Sequence, residues 1–176
     1  MDNSEDFKKM LLIVDPQIDF INGSLPVPGA EEAMDNLSSY VNEYAGIYDL
    51  ICVTCDRHNM QHCSFVKFGG EWPPHCIESS VGAAIWPPLM TSLLKYSEKI
   101  HILYKGEDPT KDEYSIFQNS RGADYLDSII KDNTIEQIDI CGLAGDVCVA
   151  STLKDGVKIY PNIKFSTLEK FIANIC

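Results

Sequence analysis

The chain has 176 residues, 45% of them apolar and 23% charged, the balance of a soluble globular protein with a sizeable core rather than of a disordered or fibrous one. Its formal net charge is −12 at pH 7; with no cluster of Lys or Arg to offset it, this argues against nucleic acid or an anionic membrane surface as a partner. No run approaches the roughly 20 apolar residues of a membrane-spanning helix, and MDNSEDFKKMLLIVD carries acids where a secretory signal has bases, so the expected location is cytoplasmic.

Four near-continuous apolar runs read as strands buried on both faces: MLLIVD (10–15), LICVTCD (50–56), IHILYK (100–105) and IDICGLA (138–144). Between the first two, residues 30–45 place Ala33, Leu37, Tyr40, Val41 and Tyr44 on one helical stripe, with acids in the first turn. Residues 89–97 and 122–132 are shorter amphipathic segments. A stretch from 57 to 88 breaks the alternation: it is rich in His, Pro, Gly and Trp and has no clean period. Beyond IDICGLA a helix starts, which Gly156 to Pro161 shortens or ends abruptly, and KFSTLEKF reads as a last strand. Strands alternating with helices predict an α/β fold of three layers, with helices on both faces of a mainly parallel sheet. With no repeat or linker in sight, residues 1–176 are expected to form a single domain.

Seven cysteines are an odd number at scattered spacings, and they read as reduced thiols. Cys52 and Cys55 match C-x-x-C, but on a strand two residues three apart point to opposite faces. The same geometry argues against a structural zinc site from Cys52, Cys55, Cys63 and Cys76.

In open parallel sheets, ligands bind beyond the carboxyl ends of the strands. The polar residues expected there are Asp15, Asp56 with His58, Lys105, and Cys148 in the turn after the fourth strand. A thiol with an ordinary pKa of about 8.5 is mostly protonated at neutral pH. A helix start at Val147 and Cys148, and a cation at Lys105, would both lower it, and Asp15 could accept the proton. Taken singly, each residue also suits a turn, a solvated end or a core thiol; their arrival at one rim is what points to nucleophilic chemistry. The loop adds D56-R-H58-N-M-Q-H62 and W72-P-P-H75, an Asp and imidazole set that suits zinc, iron or manganese.

DPQIDF with GSLPVPGA, DRHNMQHCSF, WPPHC, LYKGED with DEYSIF, and GLAGDVCV together resemble, in order, the motifs of the nicotinamidase branch of the isochorismatase-like cysteine hydrolases. The resemblance runs from about residue 10 to residue 155. It implies a catalytic triad of Asp15, Lys105 and Cys148, and an oxyanion hole from the backbone N–H groups of Ala144 and Cys148 behind a cis peptide at Leu143–Ala144. It implies a divalent metal, zinc before iron or manganese, held by Asp56, His58 and His75; His62 matches a histidine that ligates metal in only some members. Phe20, Trp72 and Tyr114 align with residues that wall the substrate ring. The implied activity is hydrolysis of nicotinamide to nicotinate and ammonia through a cysteine thioester, in NAD salvage, with the small molecule as partner and a homo-oligomer left open. The alternatives are a cysteine hydrolase of the same superfamily acting on a different small amide, and a catalytically silent relative that keeps the metal site.

Overall fold

The computed structural model describes residues 7–176; residues 1–6, where the acidic start of the N-terminal segment falls, lie outside the described residues. Five strands form one sheet: β1 (Lys9–Val14), β2 (Leu50–Asp56), β3 (Ile100–Lys105), β4 (Gln137–Gly142) and β5 (Lys164–Ile172), in the order β3-β2-β1-β4-β5. Every pairing is parallel. From β1 the chain steps to β2 and β3 on one side, then crosses to β4 and β5 on the other. Such a reversal opens a crevice at the carboxyl ends of the strands flanking it.

Burial accounts for the apolar runs. Along β1 the side chains alternate, Leu11 and Ile13 packing on one face and Met10, Leu12 and Val14 on the other. The first face is covered by α2 (Ala30–Tyr44) and α3 (Pro87–Leu93), through Leu37, Val41, Leu89 and Leu93. The second takes Leu126, Ile129 and Ile130 of α4 (Ser120–Asp132), with Leu153 of α5 (Ala150–Ile159) packed against the same cluster. Central β1 and β2 are thus buried on both sides, whereas the edge strands β3 and β5 leave residues exposed; IHILYK is therefore not the doubly buried strand expected from its apolar run, because nothing pairs beyond it among the described residues. Cys52 and Cys55 point to opposite faces, and all seven cysteines are free.

Several boundaries differ from the sequence reading. The α2 stripe is rotated: Met34 is in the core while Tyr44 is 43% exposed. Two prolines set α3 earlier than expected, and the helix gives way to a tighter 3-10 turn over Leu94–Lys99, where Tyr96 leaves helical geometry. Asn119 accepts the Gly122 N–H at 2.8 Å and so starts α4 two residues early. By contrast, α5 passes through Gly156 and ends at Ile159 before Pro161, within the Gly156 to Pro161 stretch expected to end it. The strand after it spans nine residues.

The segment from Arg57 to Trp86 carries only 3-10 turns, yet it is pinned. Isolated bridges join His58 to Ile77, Phe65 to Trp72 and Gln17 to Ile85, and Phe65 and Cys76 are wholly buried. At the other side of the crevice, Gly142 ends β4 with φ 118, and a Cβ there would sit 2.1 Å from the Val14 carbonyl oxygen. A side chain at this position is both strained and blocked by backbone. Gly142→Ala is therefore expected to lower unfolding stability by well over about 1 kcal/mol, read as a drop in the urea midpoint; an unchanged midpoint would show that β1 and β4 can separate freely.

Candidate active site

The carboxyl ends of β1, β2 and β3 deliver Asp15, Asp56 and Lys105 to one point. Asp56 and Lys105 are register partners on β2 and β3, and Asp15 follows the last residue of β1. Asp15 and Lys105 are wholly buried, and Asp56 is buried. The Lys105 ammonium lies 2.8 Å from Asp15 Oδ2 and 2.6 Å from Asp56 Oδ1. It donates to the Glu113 carbonyl at 3.2 Å and stands 3.6 Å from Cys148 Sγ. Burial alone would discharge this lysine, but Asp15 and Asp56 outweigh it and hold its pKa well above the ordinary value.

Cys148 arrives from β4. The chain turns through a cis Leu143–Ala144 peptide into a π turn over Gly145–Val149, from which α5 continues. Val147 and Val149 both donate to the Ala144 carbonyl, and among the described residues no protein acceptor takes the Ala144 N–H. The expected depression of the thiol pKa is not found: burial, with the negative charges of Asp15 and Asp56, pushes Cys148 well above its ordinary value, and Lys105 only moderates this. The lysine contribution is real, but a buried thiol beside two carboxylates is poorly placed to ionise at rest. Asp15 is itself raised above the ordinary carboxylate range, by burial and by Asp56, against the opposing pull of Lys105. Its backbone has φ 46, a left-handed conformation rare for a residue with a Cβ.

One carboxylate serves two clusters. Asp56 Oδ1 meets Lys105, while Oδ2 faces His58 Nε2 at 3.5 Å and His75 Nε2 at 4.0 Å. All three residues are buried, and their ligand atoms lie within 4.8 Å of one another. Each histidine has its other nitrogen on a backbone carbonyl: His58 Nδ1 on Gly106 at 2.9 Å, and His75 Nδ1 on Pro73 at 2.7 Å. This outer pairing fixes the tautomer that leaves Nε2 free to ligate, so the donor set fits a divalent metal. Two neutral imidazoles and a carboxylate leave further coordination positions open, as in sites that accept an exogenous ligand.

His62 does not join them. Its ring stacks beside His58, with centroids 4.1 Å apart, but Nε2 is on the Lys111 carbonyl at 3.1 Å and Nδ1 faces the Ser64 hydroxyl at 2.7 Å and N–H at 3.2 Å. Both nitrogens are thus engaged away from Asp56.

A cavity with about 390 Å³ of empty space, its mouth included, runs from this cluster to Cys148. Phe20, Trp72 and Tyr114 line it, together with Ala144, His58 and His75. Phe20 lies 5.4 Å from the His75 ring, and Trp72 Nε1 donates to the Tyr114 hydroxyl at 3.2 Å, joining the loops after β2 and β3. Three contributors escaped the sequence reading. The Gln17 amide donates to the Asp56 carbonyl at 2.7 Å and accepts the Asp56 N–H at 2.7 Å. Glu113 accepts the Gly106 N–H at 2.9 Å. Thr54 donates to Asp15 Oδ1 at 2.7 Å. The Gln of DPQ and the Glu of DEYSIF belong to motifs named above, but nothing local in LICVTCD distinguishes Thr54 from a core residue.

Residues 9–159 match the model of the isochorismatase domain. Among curated proteins, the chain is 29% identical to the nicotinamidase of Escherichia coli, over 86% of this chain and 77% of that protein. It is 32% identical to the nicotinamidase/pyrazinamidase of Mycobacterium tuberculosis, over 85% and 79%. Among solved structures, a pyrazinamidase of Pyrococcus horikoshii in complex with zinc superposes with a TM-score of 0.81 at 29% identity, covering 96% of this chain and 88% of that one. An L. infantum protein in complex with nicotinate gives 0.84 at 30% identity, covering 97% and 83%. With a family match across most of its length and the same parallel sheet, the chain belongs to the isochorismatase family.

Proposed function

We propose that this protein is a metal-assisted amidohydrolase, working as one domain, that converts nicotinamide to nicotinate and ammonia through a thioester on Cys148, in NAD salvage. The observation that carries this reading is the meeting, on one aromatic-walled cavity, of a buried Asp15, Lys105 and Cys148 cluster with an Asp56, His58 and His75 donor set. The relatives named nicotinamidase and the structure holding nicotinate support the substrate. Asp56, His58 and His75 would hold a divalent ion, for which we propose zinc, and it would supply Lewis acidity at the inner end of the cavity.

The chain's own residues account for the rest. Phe20, Trp72 and Tyr114 hold the flat ring and exclude water from its faces. Asp15 accepts the Cys148 proton as the sulfur attacks the amide carbon, so the thiolate is made at the moment of use. Lys105 keeps its proton and steadies the carboxylate before and after the transfer. The N–H groups of Ala144 and Cys148 receive the developing oxyanion, where one lost donor typically costs about 3–4 kcal/mol. Asp15 returns the proton to the departing ammonia. Water then attacks the thioester with Asp15 again as base, releasing nicotinate and restoring the thiol.

Cys148→Ala is expected to lower nicotinate release by about a thousandfold or more while leaving bound metal unchanged; equal rates in both proteins would remove Cys148 as nucleophile. His75→Ala is expected to weaken divalent-metal affinity by more than the about 10–100-fold typical of disturbing a ligand's outer partner, measured by competition with a chromogenic chelator. His62→Ala is expected to leave that affinity within about threefold, because its Nε2 is already bonded. Asp15 acts ionised, and its pKa is raised, so kcat/KM is expected to fall as pH drops through a midpoint above the ordinary aspartate value of about 3.9. A midpoint at or below that value in the pH profile would contradict the assignment.

A further inference from the structure

Thr54 lies near the end of β2, paired in register with Val14 of β1 and Leu103 of β3, and is wholly buried. Its neighbours along the strand are Val53 and Cys55, which belong to the apolar core. A hydroxyl in such surroundings must find partners within the protein. Thr54 finds them in one residue: Oγ1 donates to Asp15 Oδ1 at 2.7 Å and stands 3.3 Å from the Asp15 N–H as an acceptor. The Thr54 carbonyl accepts the same N–H at 3.0 Å.

The arrangement grips Asp15 at both ends. Its backbone is held where the chain leaves β1 in the left-handed conformation, and its carboxylate is held in rotation about the side chain. With Oδ1 engaged by Thr54, Oδ2 is the oxygen presented to the Lys105 ammonium, 2.8 Å away. Asp15, Asp56 and Cys148 bring their oxygen and sulfur atoms within 4.8 Å of one another around that ammonium. The carboxylate therefore has a choice of donors. Without the hydroxyl, Oδ1 would be a buried oxygen with no donor of its own, free to swing toward Lys105 and turn the carboxylate away from the sulfur. Val in place of Thr keeps the β-branched shape that the strand needs and removes the hydroxyl, while the Thr54 carbonyl position still accepts the Asp15 N–H.

We propose that Thr54 is a positioning residue for proton transfer: through its hydroxyl it orients Asp15 so that one carboxylate oxygen stays available to the Cys148 thiol while the other is anchored. The proposal rests on the reading of Asp15 as proton acceptor. It assigns Thr54 no contact with substrate or metal, which separates it from a residue of the pocket wall.

The test compares Thr54→Val, Thr54→Ser and Thr54→Ala with the parent chain, all metal-loaded and checked for equal metal content and thermal midpoint. Two readouts are taken: kcat and KM for nicotinamide, and the rate of Cys148 carbamidomethylation by iodoacetamide, resolved from the other cysteines by peptide mass spectrometry. The Val and Ala variants are expected to lose about tenfold or more in kcat with KM within about twofold, and to alkylate at Cys148 correspondingly more slowly. Thr54→Ser is expected to stay within about threefold of the parent on both readouts. Ser and Ala differ only in the hydroxyl, so this pair decides the matter even where Val does not fold. Equal behaviour of Ser and Ala, or a loss confined to KM, would overturn the proposal and leave Thr54 a packing residue. A parent chain that releases no nicotinate would count against the proposed function alone, since the alkylation rates still report on Asp15 and Thr54.

Discussion

The site is organised around one buried ammonium. Lys105 is wholly buried, and an unpaired charge in that position would cost several kcal/mol. It is stabilised only because Asp15, Asp56 and the Glu113 carbonyl all face it. Those partners come from the end of β1, the end of β2 and the loop after β3. Satisfying one nitrogen therefore fixes how three strand ends sit relative to one another, and the sheet cannot take this register without assembling the cluster. Loss of one carboxylate would remove more than a reactive group, since it would leave the lysine partly uncompensated in the core.

A second tier of contacts keeps the two clusters from collapsing into one another. Asp56 must divide its oxygens between Lys105 and the histidines, and its main chain is held for that purpose by both ends of the Gln17 amide. Gly106 follows Lys105 with φ 72, and a Cβ there would lie 2.4 Å from the His58 ring. Only glycine lets the strand turn sharply enough for its carbonyl to receive His58 Nδ1. The D-x-Q and K-G pairs in the sequence are thus explained by geometry. Asp15 and Lys105 face the thiol, and the residue just beyond each of them orients Asp56 and His58.

How much of this was legible in the sequence follows from what local pattern can encode. Apolar runs mark the strands, those of β1, β2 and β4 because they are buried and that of β3 although it is an exposed edge, so β1 to β4 and the rim residues Asp15, Asp56, Lys105 and Cys148 could be placed from the hydrophobic pattern alone. Helix limits were less legible, because the start of α4 depends on the Asn119 cap and that of α3 on a proline pair. Thr54 was invisible for a different reason: its partner, Asp15, is 39 residues away and meets it only across the sheet. His62 was ambiguous because spacing brings its ring next to His58, whereas the Lys111 carbonyl that occupies its Nε2 comes from a distant loop. The direction of the Cys148 shift could not be read locally because burial, which outweighs Lys105 there, is a property of the assembled core.

The raised thiol pKa bears on how the cluster works. Without a metal on Asp56 it holds two carboxylates and one ammonium, a net charge of −1 in a buried site at the floor of the cavity. Ionising Cys148 into solvent would make the total −2, which the surrounding low-dielectric core resists. Passing the thiol proton to Asp15 instead leaves the total at −1 and only moves the negative charge from oxygen to sulfur, with Lys105 close to both. In the proposed reaction, attack would carry the charge on toward the Ala144 and Cys148 N–H groups at the turn. A resting thiol with a raised pKa is therefore compatible with a nucleophilic role, provided that its proton has an acceptor held in fixed orientation within the cluster. The raised pKa of Asp15 serves the same end, because a carboxylate that binds its proton more firmly is a better acceptor for one leaving sulfur.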